Sequence, residues 1–575
     1  MLNVRHVSVI LLLLGCTLAY PLGTKLVVGV DFGTAFSGYS IAHTSNPDVT
    51  PSVKSNWPGA LVPYPKARTA LLLSPNLTVV EWGQPAIDLF SDPNEDMKHH
   101  HLVTNFKMGL FDKSLAEKFP LPPITLVAMY LEKLMESMTD ENIDIKEERI
   151  QKSEIAYYLT IPAIWSDSEK VAMRQAAIQA GMVTRENSIS HLQMILEPEA
   201  ALVYAMRDLK KKIYIESGDV VLIVDAGGGT VDLTTHEMTS EGLFKEVCIG
   251  GGGPFGGMYV DNNFINYVEQ RYPDGQNMFQ TIRQTMPIEY TSFIYRDWIV
   301  AKHNDDGNRK NSNIVLPGKM SLFLKDQISD QIQHMYEPDE IYQLRLSRER
   351  IDDIFKNVLD SIKDEVRKQI SKAKAVGKTI NKMVLVGGFS SSPLLRNMLR
   401  TNFGEKIHVY SPDGPSKAIV VGAAWHGVNP ITIESRVLRR TYGMTSMVPF
   451  IVGVHNPLCN HTLNGANYCR DGVAVFARKG DSVSKDHKVV KRFFPVDYFS
   501  LKIRTKVVTS DMMDPRDASD AIEIFPLEMK LPGKGLNRCI TAEFSFGLSE
   551  VKIRVTEDVT NSEVTMTLGY DEKKQ

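Results

Sequence analysis

Five cysteines in 575 residues, with no Cys-x-x-Cys pair among them, argue against a zinc ribbon or finger, which needs clustered thiolates. Neither charge is in excess: 65 Lys and Arg against 68 Asp and Glu leave a net charge of −3. That balance argues against a general nucleic-acid binder, which carries a basic surplus. It does not exclude small anionic ligands, since a few backbone amides and one lysine bind those locally. Beyond the N-terminus no segment approaches the ~20 apolar residues that cross a bilayer as a helix, so no membrane span is expected. No low-complexity tract marks a long linker, and the ending GYDEKKQ is not a Lys-Asp-Glu-Leu retention signal.

The N-terminus reads MLNVRHVSVILLLLGCTLAYPLG, a short basic start, an apolar stretch from Val7 to Leu14 and small residues up to Ala19. This is the plan of a secretory signal peptide over residues 1–19. Secretion is the expected destination, with the endoplasmic reticulum lumen as the alternative. Two sequons, at Asn76 and Asn460, are candidate glycan acceptors. Removing the signal takes Cys16 away and leaves Cys248, Cys459, Cys469 and Cys539. The stretch CNHTLNGANYC carries Asn-Gly near its middle, a tight-turn dipeptide, so a Cys459–Cys469 bridge across a hairpin is one expectation and four free thiols the other.

What the chain does have is a repeated design. KLVVGVDFGTAFSGYSIA from Lys25 and GDVVLIVDAGGGTVDLTTHEM from Gly218 each run from β-branched residues to an aspartate, then glycine and threonine, then back to apolar residues. Each reads as a β-hairpin whose glycines let backbone approach a ligand without an intervening Cβ. Amphipathic helical patterns lie between and after them: ITLVAMYLEKLMESM, then SDSEKVAMRQAAIQAGM with Ser166 or Asp167 as cap and Gly181 as stop, then ERIDDIFKNVLDSIKDEVRKQISKA. A third strand-and-glycine unit, KMVLVGGFSSSP, follows the last. Alternating strands and helices imply an α/β architecture over residues 20–430. From residue 431 to 575 short alternating segments separated by Gly, Pro, Asn and Asp predict a smaller β-rich domain.

Glycine turns with free N–H groups bind anions, and a polyphosphate needs several of them converging. Aspartates beside phosphates repel them unless they hold water on a Mg2+ ion that neutralises the charge. The acid-flanked glycine turns at Asp31 and Asp225, with VGGFSSS at Val386, therefore point to a metal–nucleotide complex, ATP or ADP with Mg2+.

The ordered set VDFGTAFSGY, LTIPAIW, LEPEAALVYA, VDAGGGTVDL, GGGPFGGMYVD, LVGGFSSSPLLR and PDGPSKAIVVGAAWHG resembles the ATPase domain of the heat shock 70 kDa protein family. FKMGLF, SRERIDDIF and SRVLRRTYG extend the likeness towards the family's divergent member-12 branch. The resemblance implies the actin-like fold, two lobes with ribonuclease-H-like sheets closing on ATP. It places Asp31 and Asp225 at the water shell of the metal. Gly33, Thr34 and Ala35 would form the first phosphate turn, and Gly227, Gly228, Gly229 and Thr230 the second, with Gly256 and Gly257 beside them. Lys107 of NFKMG would reach the transferred phosphate, Glu197 would sit near the metal and link the lobes, and Asp232 would orient the attacking water. Gly387, Gly388, Ser390 and Asp413 would line the ribose and adenine side.

Departures from the family pattern matter. Ala35 stands where a second threonine is usual, which predicts slow hydrolysis. The family's adenosine-side helix has no clear counterpart; YRDWIVAKHN lies in that region, with Lys302 its candidate. The C-terminal part lacks the long helical lid. The implied activity is an ATP-dependent chaperone-type protein whose β domain contacts an unfolded or specific polypeptide. A regulatory interaction protein using ATP or ADP as a switch without turnover is the alternative, and a sugar kinase on the same fold lacks its motifs.

Overall fold

The computed structural model describes residues 20–571 apart from 61, 93–95, 98, 148, 209–214, 273, 328–342, 430–432, 464, 485, 547–548 and 568–569. The expected signal peptide lies outside these residues. Among them, no helix is long and apolar enough to cross a membrane.

The first sheet runs in the order Ser52–Val53, Phe36–His43, Leu26–Asp31, Ile155–Ile161, Leu192–Leu196. Leu26–Asp31 pairs antiparallel with the next strand in sequence and parallel with Ile155–Ile161. The second sheet repeats this order: Phe244–Gly253, Val231–Met238, Val220–Ala226, Lys382–Val386, His408–Tyr410. Here too the central strand is antiparallel to its hairpin partner and parallel to the later strand. The two repeated sequence patterns are thus the central hairpins of two lobes with one topology.

Both central strands are buried along their whole length, as expected for strands covered on two faces. The period of two assigns the faces. Leu26, Val28 and Val30 enter the core of lobe one and Val220, Leu222 and Val224 that of lobe two, while Val27, Val221 and Ile223 face the space between the lobes. Helices Glu197–Asp208 and Ala418–Val428 fill that space. Gly422 permits their close approach, since a Cβ there would lie 1.8 Å from the Ala200 carbonyl oxygen.

The outer faces are covered by the helices anticipated from periodicity, observed at Pro123–Glu141, Asp167–Gln179 and Arg348–Ala375. Ser166 caps the second, with its N–H donating to Glu169 Oε2 at 2.7 Å. The C-terminal region holds two five-stranded antiparallel sheets around a core that includes Met444, Val507, Ile540 and Phe544. Cys459 and Cys469 are bonded, with Cα atoms 4.7 Å apart, and Cys248 and Cys539 are free thiols.

The strand Ile433–Val437 does not join the β-rich sheets. It pairs parallel with Phe244–Gly253 at the edge of lobe two, and Ser482–Ser484 of the C-terminal region pairs antiparallel with it. Two ion pairs to buried glutamates fix this connection, beside a more exposed pair of Lys245 with Glu434. Arg436 holds Glu199 through two hydrogen bonds at 2.5 and 3.0 Å. Arg439 reaches Glu246 at 3.1 Å, and Val437 N–H donates to Glu246 at 2.8 Å. Against lobe one, Tyr442 donates to Asp167 at 3.2 Å, and Arg174 pairs with Glu550 in a buried bridge.

Candidate functional site

Parallel sheets place ligands at the carboxyl ends of their strands, and four such ends meet in one cleft here. Leu26–Asp31 delivers Asp31, Val220–Ala226 delivers Asp225, Leu192–Leu196 runs directly into Glu197, and Lys382–Val386 runs into Gly387 and Gly388. Asp31, Gly33, Thr34, Ala35, Lys107, Glu197, Asp225, Gly227 to Thr230, Gly257, Gly387 and Gly388 all line this cavity.

The two turns touch. A Cβ on Gly228 would lie 2.9 Å from that of Ala35, and one on Gly229 would lie 2.5 Å from Thr34 Oγ1. The first turn is braced from behind: Gly33 N–H donates to Ser37 at 3.0 Å, and Thr69 donates to Gly33 O at 2.8 Å. In the second, the carbonyls of Gly227, Gly228 and Gly229 accept from Gly257, Met258 and Gly256 at 2.8–3.0 Å. Its acceptors are spent on the start of the helix Gly257–Arg271, so what the turn has to offer a ligand is amide donors. Gly387 adopts φ +86°, where a side chain is strained, and a Cβ there would meet Asp225 Oδ1 at 2.5 Å.

Four buried carboxylates converge here, and they are not equivalent. Asp232, opposite Asp225 across the hairpin, accepts from Ile164 N–H at 2.9 Å. Glu197 accepts from Lys107 at 2.8 Å with both side chains buried. Asp31 meets Lys66 at 2.5 Å and Thr160 at 3.4 Å. Asp225 is 2% exposed, and neither of its oxygens has a hydrogen-bond partner. Burial, then the charges of Glu197, Asp232 and Asp31, push its carboxyl well above the usual aspartate range. Burial raises Glu197 to about 7, with the Lys107 charge opposing, and burial also raises Asp232. A buried carboxylate without a partner is costly unless a cation completes it. The residues therefore fit a divalent ion. Among the described residues no three of these acids bring oxygens within 4.8 Å of one another, which suits a hold through water better than a direct cage.

Ser390 and Asp413 stand apart from this lining. The Ser390 hydroxyl donates inward to the Val386 carbonyl, and Phe389 faces the cavity instead. Asp413 is exposed, although its loop touches the site through Gly387 N–H donating to Pro415 O at 3.2 Å. Gly256 braces the second turn from behind and Asp232 holds the Ile164 N–H of lobe one; neither lines the cavity. Lys302 does line it, donating to Asp261 at 2.6 Å and to Gly257 O at 3.3 Å.

Sequence reasoning missed Tyr64, Lys66, Arg68, Asp261, Tyr295 and Phe389, all in the cavity wall. The one available signal was a lysine and an arginine inside PKARTALLL, just ahead of an apolar strand. Tyr295 also spans the cleft, its hydroxyl 2.9 Å from that of Thr104 in lobe one.

Two lobes of one topology, closing on acid-flanked glycine turns, define the actin-like class of ATPase fold. The chain belongs to the Hsp70 family, whose model, described as Hsp70 protein, matches residues 27–286 and 315–431. Heat shock 70 kDa protein 12A of Mus musculus is 26% identical, covering 95% of this chain and 91% of its own length. Heat shock 70 kDa protein 12B of Homo sapiens is 24% identical with the same coverage. Chaperone protein DnaK of Thermotoga petrophila is 23% identical over 75% of this chain and 63% of its own. The 12A and 12B matches run through the β-rich region, which supports the divergent member-12 branch and an Hsp70-like, ATP-binding protein.

Proposed function

We propose that this protein binds ATP and ADP with Mg2+, hydrolyses ATP slowly, and couples lobe closure to contact between its β domain and a polypeptide partner. The observation that carries the reading is Asp225, buried and unpartnered where two glycine turns meet. Asp31 and Asp225 would hold the water shell of the ion, which supplies neutralisation of phosphate charge. The amides of both turns bind phosphate oxygens, apart from those of Gly33 and Gly227, which donate to Ser37 and to the Thr230 carbonyl. Lys107, held by Glu197, stabilises charge that develops on the transferred group. Asp232, anchored by Ile164 N–H behind the cavity wall, positions the second turn for the attacking water. Calorimetry with ATP and ADP in Mg2+ buffer tests this; folded protein that takes up neither nucleotide ends it.

For the partner, the support is a set of exposed apolar side chains in the β domain: Val452 and Leu458 in one segment and Phe499 and Leu501 in another are 67–87% exposed. Suppression of aggregation of an unfolded protein, lost on F499S/L501S, is the expected outcome; an unaffected double variant refutes this surface. Secretion through residues 1–19, with the endoplasmic reticulum lumen as alternative, is supported by the Cys459–Cys469 bond and by exposed Asn76 and Asn460. Glycosidase-sensitive protein in culture medium is expected, and its retention in the cytosol would refute this.

Ala35 favours a second reading, an ATP/ADP-switched secreted regulatory or immune-type interaction protein without turnover. Single-turnover hydrolysis compared with Asp225→Asn separates the two: a rate that the variant abolishes is catalysis, and no measurable rate in either supports the switch.

A further inference from the structure

Lys66 is a cation built into the acid cluster. Its ammonium lies 2.5 Å from Asp31 Oδ2, and both side chains are almost fully buried. The lysine directly precedes the strand Ala67–Arg68, which pairs with Phe36 and Ser37 immediately after the first turn. Its backbone position is therefore tied to that turn. Gly38 lets the stem close in, since a Cβ there would lie 2.7 Å from Pro65 O and 3.2 Å from Lys66 Cγ. Across the cleft stands Asp225, unpartnered, and in the turn itself Ala35 supplies no hydroxyl.

We propose that Lys66 is a resident counter-cation of the phosphate site, which lets the cleft hold a nucleoside di- or triphosphate without a divalent ion. This rests on the nucleotide reading above and deepens it. A polyphosphate entering this cleft meets Asp31, Glu197 and Asp225, and positive charge must separate the two sets of anions. A divalent ion does so only when it is recruited. An ammonium has three donors, so Lys66 keeps one on Asp31 while another faces a phosphate oxygen. Being covalently part of the chain, it is present at any metal concentration.

Calorimetric titration of the full chain with ADP, in excess magnesium and in excess EDTA, tests this. The wild-type affinities are expected to differ by less than about tenfold, and Lys66→Gln to widen that ratio by at least about tenfold. Lys66→Arg, which keeps the charge, is expected to preserve the narrow ratio. A Lys66→Gln ratio equal to that of wild type overturns the proposal. So does a wild-type protein that binds ADP only with magnesium, a result that needs no variant to fold. Absence of binding in both buffers removes the nucleotide reading and this inference together, whereas binding with an unaltered ratio removes this inference alone.

Discussion

Replacing Asp225 by Asn is expected to make the nucleotide-free protein more stable and the nucleotide site worse. Neither carboxylate oxygen has a partner, and the side chain is 2% exposed. Its carboxyl lies well above the aspartate range, first through burial and then through Glu197, Asp232 and Asp31. A group raised in the folded state contributes stability that is fully present below its unfolded value and is lost as pH rises through the folded one. At neutral pH the cluster therefore stores a penalty, and an unsatisfied buried polar group costs about 1–3 kcal/mol. Asparagine is still a buried polar group without a partner, so the variant recovers only the excess cost of the charge, about 1 kcal/mol, or roughly 2–4 °C in a unit the size of one lobe. The assay is thermal unfolding in EDTA at two pH values, with a gain that grows at the higher pH. In Mg2+ with nucleotide at a hundredfold excess over Kd, the wild type gains about 2.7 kcal/mol and Asp225→Asn gains far less. A variant less stable than wild type in EDTA, or one with the full nucleotide-induced gain, refutes the reasoning.

Lys107→Met should lower single-turnover hydrolysis by about a hundredfold or more while ADP affinity, read by calorimetry, changes much less. Burial raises Glu197 to about 7 against the opposing Lys107 charge. Metal-free stability is therefore expected to be fully present below the ordinary glutamate value and to fall as pH rises through about 7, and Glu197→Gln should flatten that profile in denaturant titrations. Ala35→Thr, restoring the hydroxyl usual in the family, should raise the single-turnover rate by about tenfold; an unchanged rate would refute the role given to Ala35. Arg436→Ala leaves Glu199 buried without its bidentate partner, at a cost of about 3–5 kcal/mol, and limited proteolysis between residues 428 and 441 should accelerate.

The duplicated hairpins were legible because each combines a buried β-branched strand with an aspartate and glycines at its end, a pattern that local chemistry alone explains. The helix Asp167–Gln179 was legible for the same kind of reason, through its cap at Ser166 and Gly181 just beyond. Lys66 was not. It lies in a stretch that reads as surface, and only the pairing of Ala67–Arg68 with Phe36–Ser37 carries it to Asp31. Ser390 failed differently: its hydroxyl is consumed by the Val386 carbonyl, one turn of chain away. The strand Ile433–Val437 alternates like its successors, and alternation identifies a strand without saying which sheet receives it. Its neighbour is Phe244–Gly253, nearly two hundred residues earlier in the chain.

That edge strand decides how the cleft and the β domain constrain each other. The sheet that carries Asp225 and Asp232 continues through Phe244–Gly253 and Ile433–Val437 to Ser482–Ser484, so the β domain is joined to lobe two by backbone pairing. Its contacts with lobe one are of another kind: Tyr442 on Asp167, Ser549 O on Lys170 at 2.9 Å, Glu550 on Arg174, and the Ser549 hydroxyl on the Met194 carbonyl. Three of these partners, Asp167, Lys170 and Arg174, lie on a single helix, which begins three residues after Ile164, the residue that hydrogen-bonds Asp232 behind the cleft. A body attached to both lobes cannot follow both when the angle between them changes. One set of contacts must yield, and side-chain contacts between packed surfaces break more readily than a continuous strand ladder. Lobe one is then the side that lets go, and the buried Arg174–Glu550 pair sets the cost of release. Arg436→Ala weakens the opposite attachment, so a rise in proteolysis there without loss of the Arg174–Glu550 contact would show that the two anchorages are independent.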